Sequence, residues 1–284
     1  MILIADSGAT KTDWCVGTTL SHNQIVQTEG INPFHQEADK INQILRDGLL
    51  PQLPCSPSDI QAVFFYGAGC TPDKIKKLSS LLIQAFPHAK VEVHSDLTGA
   101  ARALCQHQPG IACILGTGAN SCLYDGEKIT QNIPPLGYIL GDEGSGAYLG
   151  KRFLGDCIKQ QLPSSLLKGL LEEYQLTLPA ILDKVYRQPL ANRFLASLTP
   201  YIYRYKSQPE VYQFLTTCFT DFFRRNVLSY PGCHQLPVSF TGSVAWYFRP
   251  EIEETAQKLN LHTGIFIQAP IQELKRFHLP EKTL

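Results

Sequence analysis

The chain has 284 residues, with 25 Lys and Arg against 25 Asp and Glu, a formal charge of zero with histidine neutral, and 44% hydrophobic residues. That hydrophobic content excludes wholesale disorder and the length suits about two domains, while the balanced charge and lack of a basic run exclude the footprint of a nucleic-acid binder. The start, Met1-Ile-Leu-Ile-Ala-Asp6, has no basic leader, and no stretch approaches the roughly 18 uninterrupted apolar residues of a membrane helix, so a cytoplasmic location without a membrane partner is expected.

Apolar runs at 2–5, 14–17 and 25–28 read as three strands joined by hairpins. A helix is expected over 35–50, ended by Pro51-Gln-Leu-Pro54. Strand 62–66, a Gly67-Ala-Gly69 turn, helix 72–86, strand 91–94 and helix 96–107 complete a first half. The second half restarts with strand 111–115, a glycine turn, strand 120–124, the Asp125-Gly126 hairpin signal and a strand from Lys128. Setting Ile4-Ala-Asp-Ser-Gly-Ala-Thr10 over Ile114-Leu-Gly-Thr-Gly-Ala-Asn120 gives a shared strand–Gly–Ala pattern, a repeat at domain scale. A helical layer broken by prolines is expected from about 150 to 230, then strand 237–241, helix 244–260, strand 264–267 and a last helix from Ile271. The fold class is α/β: two domains, 1–107 and 108–284, with a cleft between them and the helical insertion in the second. The nine cysteines include no Cys-x-x-Cys pair and read as small buried hydrophobes in a reducing compartment.

Three glycine turns directly follow strands: Asp6-Ser-Gly8-Ala9-Thr10-Lys11-Thr12, Leu115-Gly116-Thr117-Gly118-Ala-Asn120 and Thr241-Gly242-Ser243. Small residues let backbone N–H groups approach an anion, and the hydroxyls add donors, so each turn suits phosphate, although strand-ending glycines also serve as plain hairpin punctuation. The first two turns lead into strands, so they match neither the P-loop nor the dinucleotide fingerprint. Asp96 follows a strand and opens a helix, where a carboxylate serves either as a base or as a helix cap.

The runs Asp6-Ser-Gly-Ala-Thr-Lys-Thr-Asp13, His94-Ser-Asp96-Leu-Thr-Gly-Ala-Ala, Ile114-Leu-Gly-Thr-Gly-Ala-Asn120, Gly137-Tyr-Ile-Leu-Gly-Asp142-Glu-Gly-Ser-Gly146 and Gly242-Ser-Val-Ala occur in an order that resembles the BadF/BadG/BcrA/BcrD-type ATPase family, and within it the N-acetylglucosamine kinases. The resemblance spans nearly the whole chain and is loosest in the helical insertion. It implies the fold of actin, hexokinase and the heat-shock chaperone ATPases, two ribonuclease-H-like domains that close over ATP and Mg²⁺. It also implies Asp96 as the catalytic base. Asp6 would order Mg²⁺ through water, and Gly8, Ala9, Thr10, Lys11, Gly116, Thr117, Gly118, Gly242 and Ser243 would contact the nucleotide. Asn32, Asn120, Gly137 and Asp142 are implied as substrate contacts. Animal members carry a tryptophan in a Gly-Trp-Gly context where this chain has Pro135-Leu136-Gly137, which changes the apolar contact near an acetamido group.

The expected activity is phosphorylation of N-acetylglucosamine or a related amino sugar at its 6-hydroxyl, with N-acetylmuramic acid or glucosamine as alternative acceptors. A second reading is an ATPase that activates a partner enzyme. That branch of the family holds an iron–sulfur cluster through cysteines in a glycine-rich loop, and the corresponding Gly141-Asp-Glu-Gly-Ser-Gly146 has none. The helix-rich stretch 201–227 suits either a homodimer contact or core.

Overall fold

The computed structural model describes residues 1–8 and 10–281. The chain divides into two compact units, one made of Met1–Gln108, Asp125–Ile129 and the C-terminal segment from Ala269, the other of Pro109–Tyr124 and Thr130–Gln268.

The first unit is built on a five-stranded sheet in the order β3-β2-β1-β4-β5. Its strands are β1 (Ile2–Ser7), β2 (Lys11–Gly17), β3 (Asn23–Glu29), β4 (Ala62–Gly67) and β5 (Lys90–Ser95). β1, β2 and β3 form an antiparallel meander, whereas β1, β4 and β5 run parallel. Leu3, Ile4 and Ala5 are fully buried because the central strand is covered on both faces, which is why it reads as an unbroken apolar run. Trp14 anchors the core, edge-on to Phe65 with ring centroids 5.9 Å apart, and its indole N–H donates to Thr28 Oγ1 at 2.9 Å. Helices α1 (Ala38–Gln43), α2 (Pro72–Ala85) and α3 (Asp96–Cys105) belong to this unit. The helix expected over 35–50 is α1 followed by a wider π turn at Ile44–Leu49.

The second unit repeats the plan. Its strands are β6 (Gly110–Leu115), β7 (Ala119–Tyr124), β8 (Ile129–Ile133), β9 (Pro237–Thr241) and β10 (His262–Ile267), in the order β8-β7-β6-β9-β10. β6 pairs antiparallel with β7 and parallel with β9, and β9 parallel with β10. Both units therefore carry the ribonuclease-H-like arrangement. Between β8 and β9 run α4 (Gly137–Leu140), α5 (Gly146–Ile158), α6 (Ser164–Glu173), α7 (Leu178–Tyr186), α8 (Ala191–Ala196), α9 (Thr199–Arg204) and α10 (Pro209–Asn226). Phe214, Phe219, Phe222 and Phe223 of α10 pack with Phe240 of β9 into this unit's core. The helix expected at 244–260 is two, α11 (Ser243–Tyr247) and α12 (Arg249–Lys258). Pro250 lacks the N–H that a continuous helix needs and starts a new helix instead.

The last helix, α13 (Ile271–His278), returns to the first unit and packs on α3. Its His278 ring stacks on Phe64 at 3.9 Å between centroids and shares a 2.7 Å hydrogen bond with the Tyr66 hydroxyl. Burial, then the Arg102 guanidinium, push its pKa down from 6.5 to about 4; Glu92 opposes, and His94 and His107 add to the depression. The unfolded chain takes up this proton near 6.5, so stability falls as pH drops from about 6.5 to about 4 and levels off below. The shift corresponds to roughly 3 kcal/mol at most. In urea titrations His278→Gln is expected to flatten the fall between pH 7 and 4.5; an unchanged slope would assign the acid sensitivity elsewhere.

Candidate active site

In the first unit the site forms at the C-terminal ends of the parallel strands. Asp6 of β1, Tyr66 of β4 and His94 of β5 occupy one register row, with Ser7, Gly67 and Ser95 in the next. Ser95 ends β5 and at once caps α3, its hydroxyl accepting the Thr98 N–H at 3.2 Å, so Asp96 is the first helical residue with no intervening loop. Two strand spacings, about 10 Å, separate the backbones at Asp6 and His94, and Asp96 lies two residues beyond His94. Each carboxylate keeps a partly open face while most of its surroundings are protein.

Burial raises the Asp6 pKa from 3.8 to about 7, the Asp13 and Asp96 charges add to the rise, and Lys11 opposes it. Asp13, opposite Asp6 in the sheet, is satisfied by Lys11 Nζ at 2.9 Å and by Gln27 Nε2 at 2.6 Å. Among the described residues, none is recorded in a hydrogen bond or ion pair with the Asp6 carboxylate. Burial also raises the Asp96 pKa, against the pull of the Leu97 N–H, which donates to Oδ1 at 2.8 Å. An acid such as Asp6, buried at a strand end without a recorded partner, fits a divalent cation, and a single carboxylate suits Mg²⁺, which keeps much of its own water.

Gly8, Thr10 and Lys11 are exposed on the β1–β2 turn, which closes through the Gly8 N–H on the Lys11 carbonyl at 3.0 Å. Lys11 is turned to Asp13. Ala9 lies outside the described residues. Ser7 Oγ, buried, bonds Thr12 Oγ1 at 2.6 Å and both accepts from and donates to the Ile31 backbone, fixing the segment that holds Asn32. Asn32 Oδ1 accepts the Phe34 N–H at 3.0 Å, an Asx turn. It lies against Gly69, where a Cβ would fall 2.1 Å from Oδ1, so Asn32 stands at the strand end of β4.

The second unit gathers the other two turns. Gly242, at φ +112°, sits so close to β6 that a Cβ would lie 2.4 Å from the Leu115 carbonyl oxygen and 3.2 Å from the Gly116 nitrogen. The Gly116 N–H donates to Gly118 O at 2.9 Å, and the first N–H groups of α5, at Gly146 and Ala147, donate to the carbonyls of Gly116 and Thr117. An added Cβ at Gly116 would meet nothing within 4 Å, so the turn faces open space. Beside it, Thr241 Oγ1 is buried and no hydrogen-bond partner is recorded for it among the described residues. Open room beside a glycine turn and a hydroxyl with no recorded partner fit a phosphate chain.

Asp142, at φ +55°, accepts the Ala119 N–H at 3.3 Å and approaches Gly118, where a Cβ would lie 3.1 Å from Oδ2. Burial raises its pKa, the Ala119 N–H lowers it, and Glu143 adds to the rise. Asn120 Oδ1 is taken by Asn132 Nδ2 and the Ser121 N–H, both at 2.9 Å. Gly137 is exposed at φ +73° with open space at its Cβ position.

A cavity of about 600 Å³ adjoins Ser243, walled by Thr199, Pro200, Tyr203, Tyr247 and Phe248. The sequence reading missed these walls. Tyr247 lies four residues after Ser243, on one helix face, a spacing that would have indicated it; Tyr203 carries no local signal.

Two of these glycines separate folding from binding: Gly242 is held at positive φ against a carbonyl, and Gly116 is under neither constraint. Gly242→Ala is expected to cost about 2–3 kcal/mol, because strained φ and a carbonyl clash coincide. Gly116→Ala is expected to change stability by less than about 0.5 kcal/mol yet weaken nucleotide binding at least about tenfold by filling the open side. Calorimetric unfolding and titration check both; unimpaired binding in Gly116→Ala would remove that turn from the phosphate site.

No family model matches the chain, and no curated protein matches it. A solved structure of a candidate N-acetylglucosamine kinase from Porphyromonas gingivalis is 48% identical, with a TM-score of 0.93 over 98% of this chain and 98% of that one. A second candidate N-acetylglucosamine kinase, from Chromobacterium violaceum, is 19% identical with a TM-score of 0.74 over 97% and 98% of the two chains. A ROK-family glucokinase from Streptomyces griseus, solved with glucose and AMPPNP, is 13% identical with a TM-score of 0.53 over 97% of each chain. At those lower identities the likeness shows the fold, that of actin-like ATPases and hexokinases. Near-complete coverage at 48% identity goes further: the chain belongs to the N-acetylglucosamine kinase family.

Proposed function

We propose that the protein transfers the γ-phosphoryl group of ATP to the 6-hydroxyl of N-acetylglucosamine or a closely related amino sugar. The observation that carries this reading is Asp96, a carboxylate held at a strand end by a loopless helix start, with its proton affinity raised by burial. A raised pKa makes a better base. Asp96 takes the proton of the attacking hydroxyl as the new O–P bond forms and the bond to ADP breaks, leaving the sugar 6-phosphate and ADP.

Asp6 is assigned to Mg²⁺ through water, and bound Mg²⁺ would neutralise charge on the phosphate oxygens. Gly8, Ala9, Thr10 and Lys11 in the first unit, and Gly116, Thr117, Gly118, Gly242 and Ser243 in the second, are assigned to the nucleotide. The aromatic cavity beside Ser243 is of a volume suited to the base. Asn32, Asn120, Gly137 and Asp142 are assigned to the sugar, where fixed polar groups penalise a wrong ligand by about 1–3 kcal/mol per unpaired group.

ATP-to-ADP turnover measured across a panel of hexosamines tests the proposal. Stimulation by N-acetylglucosamine, with the 6-phosphate as product, is expected. Folded, nucleotide-binding protein whose turnover no sugar stimulates would point to the partner-activating ATPase reading instead.

A further inference from the structure

The turn that carries Asp142 is held from behind by residues with no part in the reaction as described above. Glu143 is buried, 5% exposed, and its two carboxylate oxygens go to adjacent residues at the C-terminal end of α10. Oε1 meets Arg225 Nε at 2.6 Å, and Oε2 accepts from Asn226 Nδ2 at 3.2 Å. One residue on, Gly144 at φ +73° presses on the same helix, where a Cβ would lie 2.9 Å from Phe222 Cβ.

The same helix end reaches two further segments. The Asn226 carbonyl accepts from Ser121 Oγ at 2.8 Å, Ser121 Oγ meets Tyr230 Oη at 2.8 Å, and Tyr230 Oη accepts the Ile133 N–H at 3.0 Å. Ser121 follows Asn120, and Ile133 leads to Pro135, whose carbonyl takes the Asp142 N–H at 2.9 Å. The end of α10, with Tyr230 just beyond it, thus fastens the three segments bearing Asn120, Gly137 and Asp142.

Asp142 needs such support. A left-handed backbone at a non-glycine residue is strained and persists only where its surroundings over-determine it. An ion pair whose arginine stays exposed contributes little net stability, so its value here lies in fixing one geometry.

We propose that Glu143, through Arg225 and Asn226, is a positioning residue that sets the Asp142 carboxylate for the acceptor sugar; it touches neither substrate. This rests on the sugar-kinase reading above. Glu143→Gln keeps the shape and removes the charge, while Arg225→Met and Arg225→Lys probe a side chain that is 61% exposed and dispensable for the core.

In the full-length enzyme, Glu143→Gln and Arg225→Met are expected to raise KM for the sugar about tenfold while KM for ATP stays within about twofold. Arg225→Lys recovers most of that loss. Amide exchange at residues 142–146 speeds up about tenfold in Glu143→Gln, while exchange at residues 110–115 is unchanged. Unchanged exchange at 142–146, or sugar and ATP KM rising together as for a general loss of structure, would overturn the proposal. Wild-type protein without sugar-stimulated turnover would instead overturn the kinase reading, and the exchange comparison then decides the positioning role alone.

Discussion

Asp96→Asn is expected to lower sugar-stimulated turnover at least ~10²-fold while the affinity for a non-hydrolysable ATP analogue stays within about twofold. The asparagine retains the side-chain oxygen that accepts the Leu97 N–H, and Ser95 still caps α3 through Thr98, so the strand-to-helix junction survives. What disappears is the capacity to take a proton. Because burial raises the Asp96 pKa, the acid limb of the wild-type pH profile should lie above the ordinary carboxylate value of 3.8. A variant with full activity would reassign the base, and a variant that loses nucleotide binding in parallel would make Asp96 structural.

Asp6→Asn is expected to do two opposite things: stabilise the metal-free protein and abolish turnover. The folded state holds the Asp6 proton up to about 7 against 3.8 for the ordinary group. Between those values the folded chain binds more protons than the unfolded one, so stability is lost as pH rises through the window. The shift corresponds to on the order of 4 kcal/mol for a dry site; solvent at the open face reduces it, and a gain of about 2 kcal/mol at pH 7 is expected for the variant. Mg²⁺ should raise the melting temperature of the wild type and not of Asp6→Asn, and turnover should fall at least ~10²-fold. Equal stability of the two proteins in metal-free buffer, or Mg²⁺-supported activity in the variant, would detach Asp6 from the metal.

Much of this site was legible because its parts are local. A strand ending in glycine announces the turns at Gly8, Gly116 and Gly242, and His94-Ser-Asp96 before an apolar helix announces the junction that holds Asp96. Other parts depend on contacts that no window of sequence contains. Glu143 finds Arg225 only because α10 spans the unit, and Tyr203 reaches the cavity beside Ser243 from another helix. The short α4 escaped because it starts after Leu136 at φ +60° and buries no apolar residue, so it has no periodicity to detect. Pro250 split a helix whose apolar pattern runs through the break. In each case tertiary packing, or a single missing N–H, overrode the local signal.

The direct passage from β5 into α3 limits how such an enzyme can diversify. With no spare residue between strand and helix, inserting one would turn the helix start by roughly 100° and swing the acid away from the strand ends. If Asp96 is the proton acceptor as proposed, its place is therefore locked to the sheet. On the proposed assignment, change of acceptor would then fall to the Asn32 segment and the Gly137 turn, whose backbones lie outside the β-strands, so new preferences among sugars could arise without rebuilding the chemistry.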